Sequence, residues 1–275
     1  MSRSFHCPRS VRGWAPMGLV LQLIFTVSQA QAVVQSSTQA VTLVSQSLQT
    51  AVGATALTDA TLQGMVNYTA GSDEESGSFT LELKGNQESK LALNLSGGNR
   101  AEIRQAQAGA WIDTTGVEHP MAIHNCWVDA SALFPTFSVW GVLNDPQVTA
   151  TYVGQTLRNG VTVDHLQITR TMSGEAPAMA AEIQGLSAID LYLDVATHLP
   201  VELDFNTHPD DDLKQQIPVE ILFSGYQKLG GIIVPTHIQK LIQGTLTFDL
   251  YVSNVAINSG LQDSGFSVQT VQAVN

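Results

Sequence analysis

The stretch Ile189-Asp190-Leu191-Tyr192-Leu193-Asp194 runs into Thr197-His198-Leu199-Pro200 and leaves it as Val201-Glu202-Leu203-Asp204-Phe205-Asn206. Apolar and polar residues alternate on both sides of the break. Such period-two alternation marks strands with one apolar and one wet face, and the short break predicts an antiparallel hairpin. The same pattern continues through Val219-Glu220-Ile221-Leu222-Phe223, Ile232-Ile233-Val234-Pro235 and Leu246-Thr247-Phe248-Asp249-Leu250-Tyr251-Val252. Gly225-Tyr226, Gly230-Gly231 and Gln243-Gly244 supply the turns between them. A long sheet with one wet face must wrap its apolar face around something, either its own helices or a guest.

Upstream, further strands are expected from Gln63 to Tyr68, around Phe79, Leu81 and Leu83, around Leu91, Leu93 and Leu95, from Ala101 to Gln107 and from Ala110 to Asp113. The acidic tract Gly71 to Gly77 and Gly85 to Glu88 have turn composition. Two segments change period. From Ser36 to Ala54, Val41, Val44, Leu48 and Val52 recur at helical spacing, with Ser36 or Ser37 as cap. From about Asp129 to Leu143, Ala130, Leu133, Phe134, Phe137 and Trp140 mark a helical face that Pro135 should split or kink. Strands resume at Val148 to Val153 and Val161 to Thr169, and Met172 to Ala181 reads as a looser stretch. The order is helix, strands, aromatic-rich insert, strands: a mainly β, α+β chain.

Residues 1–32 read as a secretory signal. Arg3, Arg9 and Arg12 form the basic start, Ala15 to Val27 the apolar core and Ala30-Gln31-Ala32 the cleavage pattern. Cys7 precedes that core, so no lipid-attachment cysteine is expected. Residues 33–275 then form a single domain, exported to the periplasm or secreted, soluble and monomeric. They carry nine basic against 24 acidic residues, a formal charge of −15. That balance excludes nucleic-acid binding, which needs Lys and Arg to displace counterions. The one remaining cysteine, Cys126, cannot form an internal disulfide and reads as a small buried hydrophobe.

Catalytic motifs are absent: the sequence has no Gly-x-Ser-x-Gly, Walker loop or His-Glu-x-x-His. Asp190, Asp194, Glu202 and Asp204 would cluster if their strands pair, most simply as a solvated outer face. His119, His124 and His208 have no metal-ligand spacing. No enzyme activity, metal or cofactor is expected.

Leu191 to Val201, with its strand, Asp194, small loop and Leu199-Pro200, resembles a unit of the outer-membrane lipoprotein carrier (LolA-like, LppX-like) superfamily. Phe223-Ser224-Gly225-Tyr226, with Gly231 and Pro235, resembles that superfamily's hairpin, and Val255-Ala256-Ile257-Asn258 with Phe266 its ending. The resemblance implies a half-open antiparallel β-barrel whose concave face is covered by amphipathic helices. It also implies a lipid, acyl chain or lipoprotein held between them, without chemistry. Trp127, Leu133, Phe134, Phe137 and Trp140 are the expected cavity and lid residues. The alternative expectation is a sensor or structural module of the cell envelope, with a closed core and a protein partner.

Overall fold

In the structure, a computed structural model, residues 35–268 are described, apart from 129 and 173. The expected signal, residues 1–32, lies outside them. None of the described helices is long and apolar enough to cross a membrane.

The chain after the first helix forms two meanders. β1 (Asp59–Ala70), β2 (Asp73–Lys84), β3 (Glu88–Leu95), β4 (Gly98–Arg104), β5 (Gly109–Ile112) and β6 (Glu118–Pro120) pair in succession, each antiparallel to the last. The second meander holds β7 (Val148–Arg158), β8 (Val161–Arg170), β9 (Ile189–Asp194), β10 (Pro200–Thr207) and β11 (Ile217–Ser224). After a separate two-stranded ribbon, β12 (Gln227–Leu229) with β13 (Ile232–Val234), it ends in β14 (His237–Ile242) and β15 (Thr245–Ile257). β15 pairs with β1, which joins both halves into one 13-stranded sheet whose edges are β6 and β7. The hairpin at residues 189–206 forms as its alternation predicts. The acidic tract, expected as a turn, is instead the start of β2: the turn closes around Gly71, where the backbone reaches φ 63° and glycine is favoured.

At the β1–β15 junction a bulge falls between Gln63 and Gly64. A Cβ on Gly64 would stand 1.9 Å from the Tyr251 carbonyl oxygen, so only glycine fits this close approach.

The sheet is curled. β4 and β10 are seven places apart in it, about 34 Å if flat at the usual strand spacing. Yet Glu102 of β4 and Phe205 of β10 line one void. The inner face is apolar, with Leu62, Phe79, Leu81, Leu191, Leu203 and Ile221 in a single core cluster.

Helix α1 (Thr38–Val52) starts where expected, with Ser37 Oγ accepting from the Ala40 N–H at 3.2 Å. Its buried face is rotated from the expected one. Ala40, Leu43, Val44, Ser47, Ala51 and Val52 face inward, and Val41 is 36% exposed. Small side chains on that face let α1 pack against α3 (Pro135–Asn144) as well as β7 and β13. Pro135 starts α3 rather than kinking a longer helix, because a first-turn proline gives up an N–H that has no helical partner. The loose stretch expected at 172–181 contains instead the start of a helix, α4 (Pro177–Leu186). Its Pro177 start and run of Ala and Met are helix signals that the small-residue composition masks. A short α2 (Ile123–Cys126) precedes the aromatic segment.

Candidate functional site

Topology places the aromatic insert. Residues 121–147 leave the sheet at one edge, β6, and return at the other, β7. Phe134, Phe137, Val139 and Val142 of this connection belong to the same core cluster as the inner face of the sheet, which places it over the opening. α3 accordingly packs against α1, β7 and β10.

The five residues expected at the lid separate into four environments. Phe134 and Phe137 are fully buried, edge to face at 5.5 Å between ring centroids, and belong to the main core cluster. Leu133 lines the internal void with Ala130 and Ala132. Trp140 meets Phe137 edge-on at 6.2 Å, and its other side walls an open groove of about 720 Å³ with Gln105, Ala108 and Asp145. Trp127 stands apart, in a crevice with Arg170 and Ile189, its buried indole N–H without a partner. The void itself is only about 30 Å³, enough for a water but not for an acyl chain.

One buried polar knot pins the insert. Asp145, the residue after α3, accepts through Oδ2 from Asn86 (3.1 Å), Gln87 (3.0 Å) and Arg170 (3.2 Å), and through Oδ1 from the Gln147 N–H (2.9 Å). Asn86, Asp145 and Arg170 are each less than a tenth exposed. Burial pushes the Asp145 carboxyl up. The Gln147 N–H, the two amides and Arg170 more than offset this and hold it below the usual carboxylate range. The knot ties the β2–β3 turn and β8 to the end of α3.

Charges inside the sheet escaped the sequence reading. Arg100, Glu102 and Arg104 of β4 stand opposite Leu93, Leu91 and Ser89 of β3, and Leu91 stands opposite Leu81 of β2. Cross-strand partners share a face, so the polar side of β4 points inward. From the other half, Lys240 of β14 lies opposite Ile221 and Phe248. Lys240 lines the small void with Glu102 and Arg104, its Nζ 5.5 Å from the centre of the Phe248 ring. Arg104 Nε is 2.7 Å from Glu102. One row along, Arg100 stands over the Tyr68 ring and 2.7 Å from Glu75. Burial lowers the Lys240 ammonium and Glu102 opposes that shift. The only sequence signal was the Arg-x-Glu-x-Arg alternation, whose direction depends on register.

The carboxylate cluster expected on the outer face forms, but not as a solvated one. Asp190, Asp204 and Glu220 are successive cross-strand partners, with Glu202 nearby. Glu202 is 4% exposed. Arg158 stacks over Tyr192 at 4.1 Å and reaches Asp204 at 2.9 Å and Glu202 at 3.3 Å. Asp194 belongs to the turn instead, accepting from the Ala196 and Thr197 N–H groups. Burial first, then the Glu202 charge, against the pull of Arg158, push the Asp204 carboxyl up to about 7. The unfolded chain therefore releases this proton first, and stability drains away as pH rises from about 4 towards 7. Asp204→Asn is expected to stabilise the protein at pH 8 by roughly 1–2 kcal/mol and to be near neutral at pH 4. Urea unfolding at both pH values checks this, and equal effects at the two would refute it.

Among the described residues no three His, Cys, Asp or Glu side chains gather as metal ligands. His119 stacks on Trp111 and bonds Asp113 at 2.9 Å, while His124 and His208 meet edge-on at 6.1 Å. Cys126 is buried, and burial pushes its thiol up.

No family model matches the chain, and no curated protein matches it. Solved structures do. A LolA superfamily protein from Nitrosomonas europaea superposes with a TM-score of 0.54 at 10% identity, over 83% of this chain and 97% of that one. A DUF1329 family protein from Desulfovibrio piger gives 0.51 at 14% identity, over 85% and 98%. A domain described as an outer membrane lipoprotein-sorting protein, from Vibrio parahaemolyticus, gives 0.51 at 12%, over 82% and 95%. At such identities the likeness is one of architecture: this chain has the open, curled, mainly antiparallel sheet of the LolA superfamily fold.

Proposed function

We propose that the protein is an exported, non-catalytic carrier or binding protein for a lipid, an acyl chain or the acyl part of a lipoprotein. Residues 33–275 act as one domain behind a cleaved leader, in the periplasm. α1 and α3 together cover the concave face, and the guest lies between that face and the insert carrying Leu133, Phe134, Phe137 and Trp140. Trp127 lies in the crevice beside Asn86 and Arg170. The observation that carries this reading is the connection of residues 121–147, which bridges the two free sheet edges over an apolar interior. Such a wall can move without breaking the strand ladders. The void of about 30 Å³ means that a guest enters only when the wall lifts. Each methylene that enters gains about 0.8 kcal/mol, which a long chain sets against the packing of Phe134 and Phe137 lost when the wall lifts. The shared architecture with a lipoprotein-sorting domain supports the same reading.

The tightness of that void also favours the rival reading, a closed envelope module that binds a protein partner. Mass spectrometry of organic extracts from the exported protein, with binding of a fluorescent fatty acid to delipidated protein, separates them. Co-purified lipid and saturable probe binding are expected. Their joint absence would leave the closed-module reading.

A further inference from the structure

We infer that the guest is amphiphilic with an anionic headgroup, and that Lys240 and Arg104 on the inner face of the sheet receive that headgroup. The inference rests on the carrier reading above and specifies its ligand. After residue 32 the chain has only nine basic residues against 24 acidic ones, yet Arg100, Arg104 and Lys240 all sit on the inner face. Taking a charge out of bulk water is costly, and a structural core gains nothing from it that apolar side chains would not supply. Among the described residues, the void is lined by two cations and one carboxylate, Glu102. The insert residues that wall it, Ala130, Ala132 and Leu133, bring no charge. The cluster is thus held together in the closed protein by Glu102, and a second anion would complete it.

The surroundings suit an amphiphile. Leu81, Leu91, Phe205 and Ile221 line the same void, so an acyl chain leaving the headgroup runs directly onto apolar floor. Lys240 is held above the Phe248 ring, and Arg104 is oriented by its bond to Glu102. A lifted insert would open the cationic pair and the floor together. Carboxylate and phosphodiester headgroups share the required chemistry.

Binding of four probes to the delipidated mature protein tests this: oleate against oleyl alcohol, and dioleoylphosphatidylglycerol against dioleoylglycerol. The anionic member of at least one pair should bind about tenfold tighter, as expected when one charge-assisted contact is gained. The pair that shows the preference identifies the headgroup as carboxylate or phosphodiester. Lys240→Met should abolish the preference and leave the neutral probe within about threefold, since the apolar stem is kept. Lys240→Arg should retain the preference, and Glu102→Gln, which removes the competing carboxylate, should increase it. Should Lys240→Met fail to fold, the arginine and Glu102→Gln variants decide. Equal binding of charged and neutral probes by the wild type would overturn the inference and leave the carrier reading standing. So would loss of both probes in parallel in a folded Lys240→Met. If no acyl probe binds at all, both fall together.

Discussion

Phe137→Ala is expected to cost about 3–5 kcal/mol of stability, the full penalty for emptying a packed aromatic site. Phe137 is completely buried and has Phe134 and Trp140 edge-on against it. Fewer contacts would be lost if the ring faced a vacant cavity, and the cost would then fall nearer 1–2 kcal/mol. The ring therefore occupies space that a guest would need. Truncating it weakens the closed arrangement more than the open one. A protein that binds only in its open form gains apparent affinity as that form becomes more populated. The variant should accordingly bind a fluorescent fatty acid more tightly than the wild type while melting at a lower temperature. Weaker probe binding together with a small stability loss would place Phe137 on the guest itself and contradict the packing seen here.

Asp145→Ala should be comparably damaging, at about 3–5 kcal/mol, because it strands a buried guanidinium. Arg170 is 6% exposed, and Asn86 and Gln87 lose their acceptor in the same step. The knot also carries a pH signature. The folded carboxyl lies below its ordinary value, so its stabilisation is complete above about pH 4. It is lost as pH falls from there through the depressed folded value. Acid unfolding of the wild type should steepen below about pH 4, and this limb should be absent from Asp145→Ala. Arg170→Met in the Asp145→Ala background should recover part of the loss, since two apolar replacements leave no unpaired charge. A double variant no more stable than the single one would show that the two groups are not energetically coupled.

The opposite pH dependences of Asp145 and Asp204 show what environment does to one residue type. Both are largely buried beside an arginine. Asp145 has four donors aimed at its two oxygens. Asp204 shares Arg158 with Glu202, and one of its oxygens is buried without a donor. Burial raises both carboxyls; four donors overcome it at Asp145, whereas the neighbouring Glu202 charge adds to it at Asp204.

What this chain determined by its sequence alone was local. Alternation at Ile189 to Asn206 and its repeats declared antiparallel strands, because period two is a property of the strand itself. Ser36 or Ser37 before a 3.6-period run marked the start of α1, because capping depends only on neighbouring residues. The gathering of Asp190, Glu202 and Asp204 followed from a hairpin whose break was visible. Whatever depends on a distant partner was decided by tertiary structure. Which face of α1 is buried depends on α3 and β7, and small residues were preferred there over Val41. That Glu102 and Arg104 point inward depends on their register with Leu91 and Ser89. The meeting of those two charges with Lys240, from the opposite end of the chain, depends on a sheet that curls enough to bring β4 over β14. Curl is the sum of twists, bulges and close approaches such as that at Gly64, and a single strand's residue pattern does not encode it.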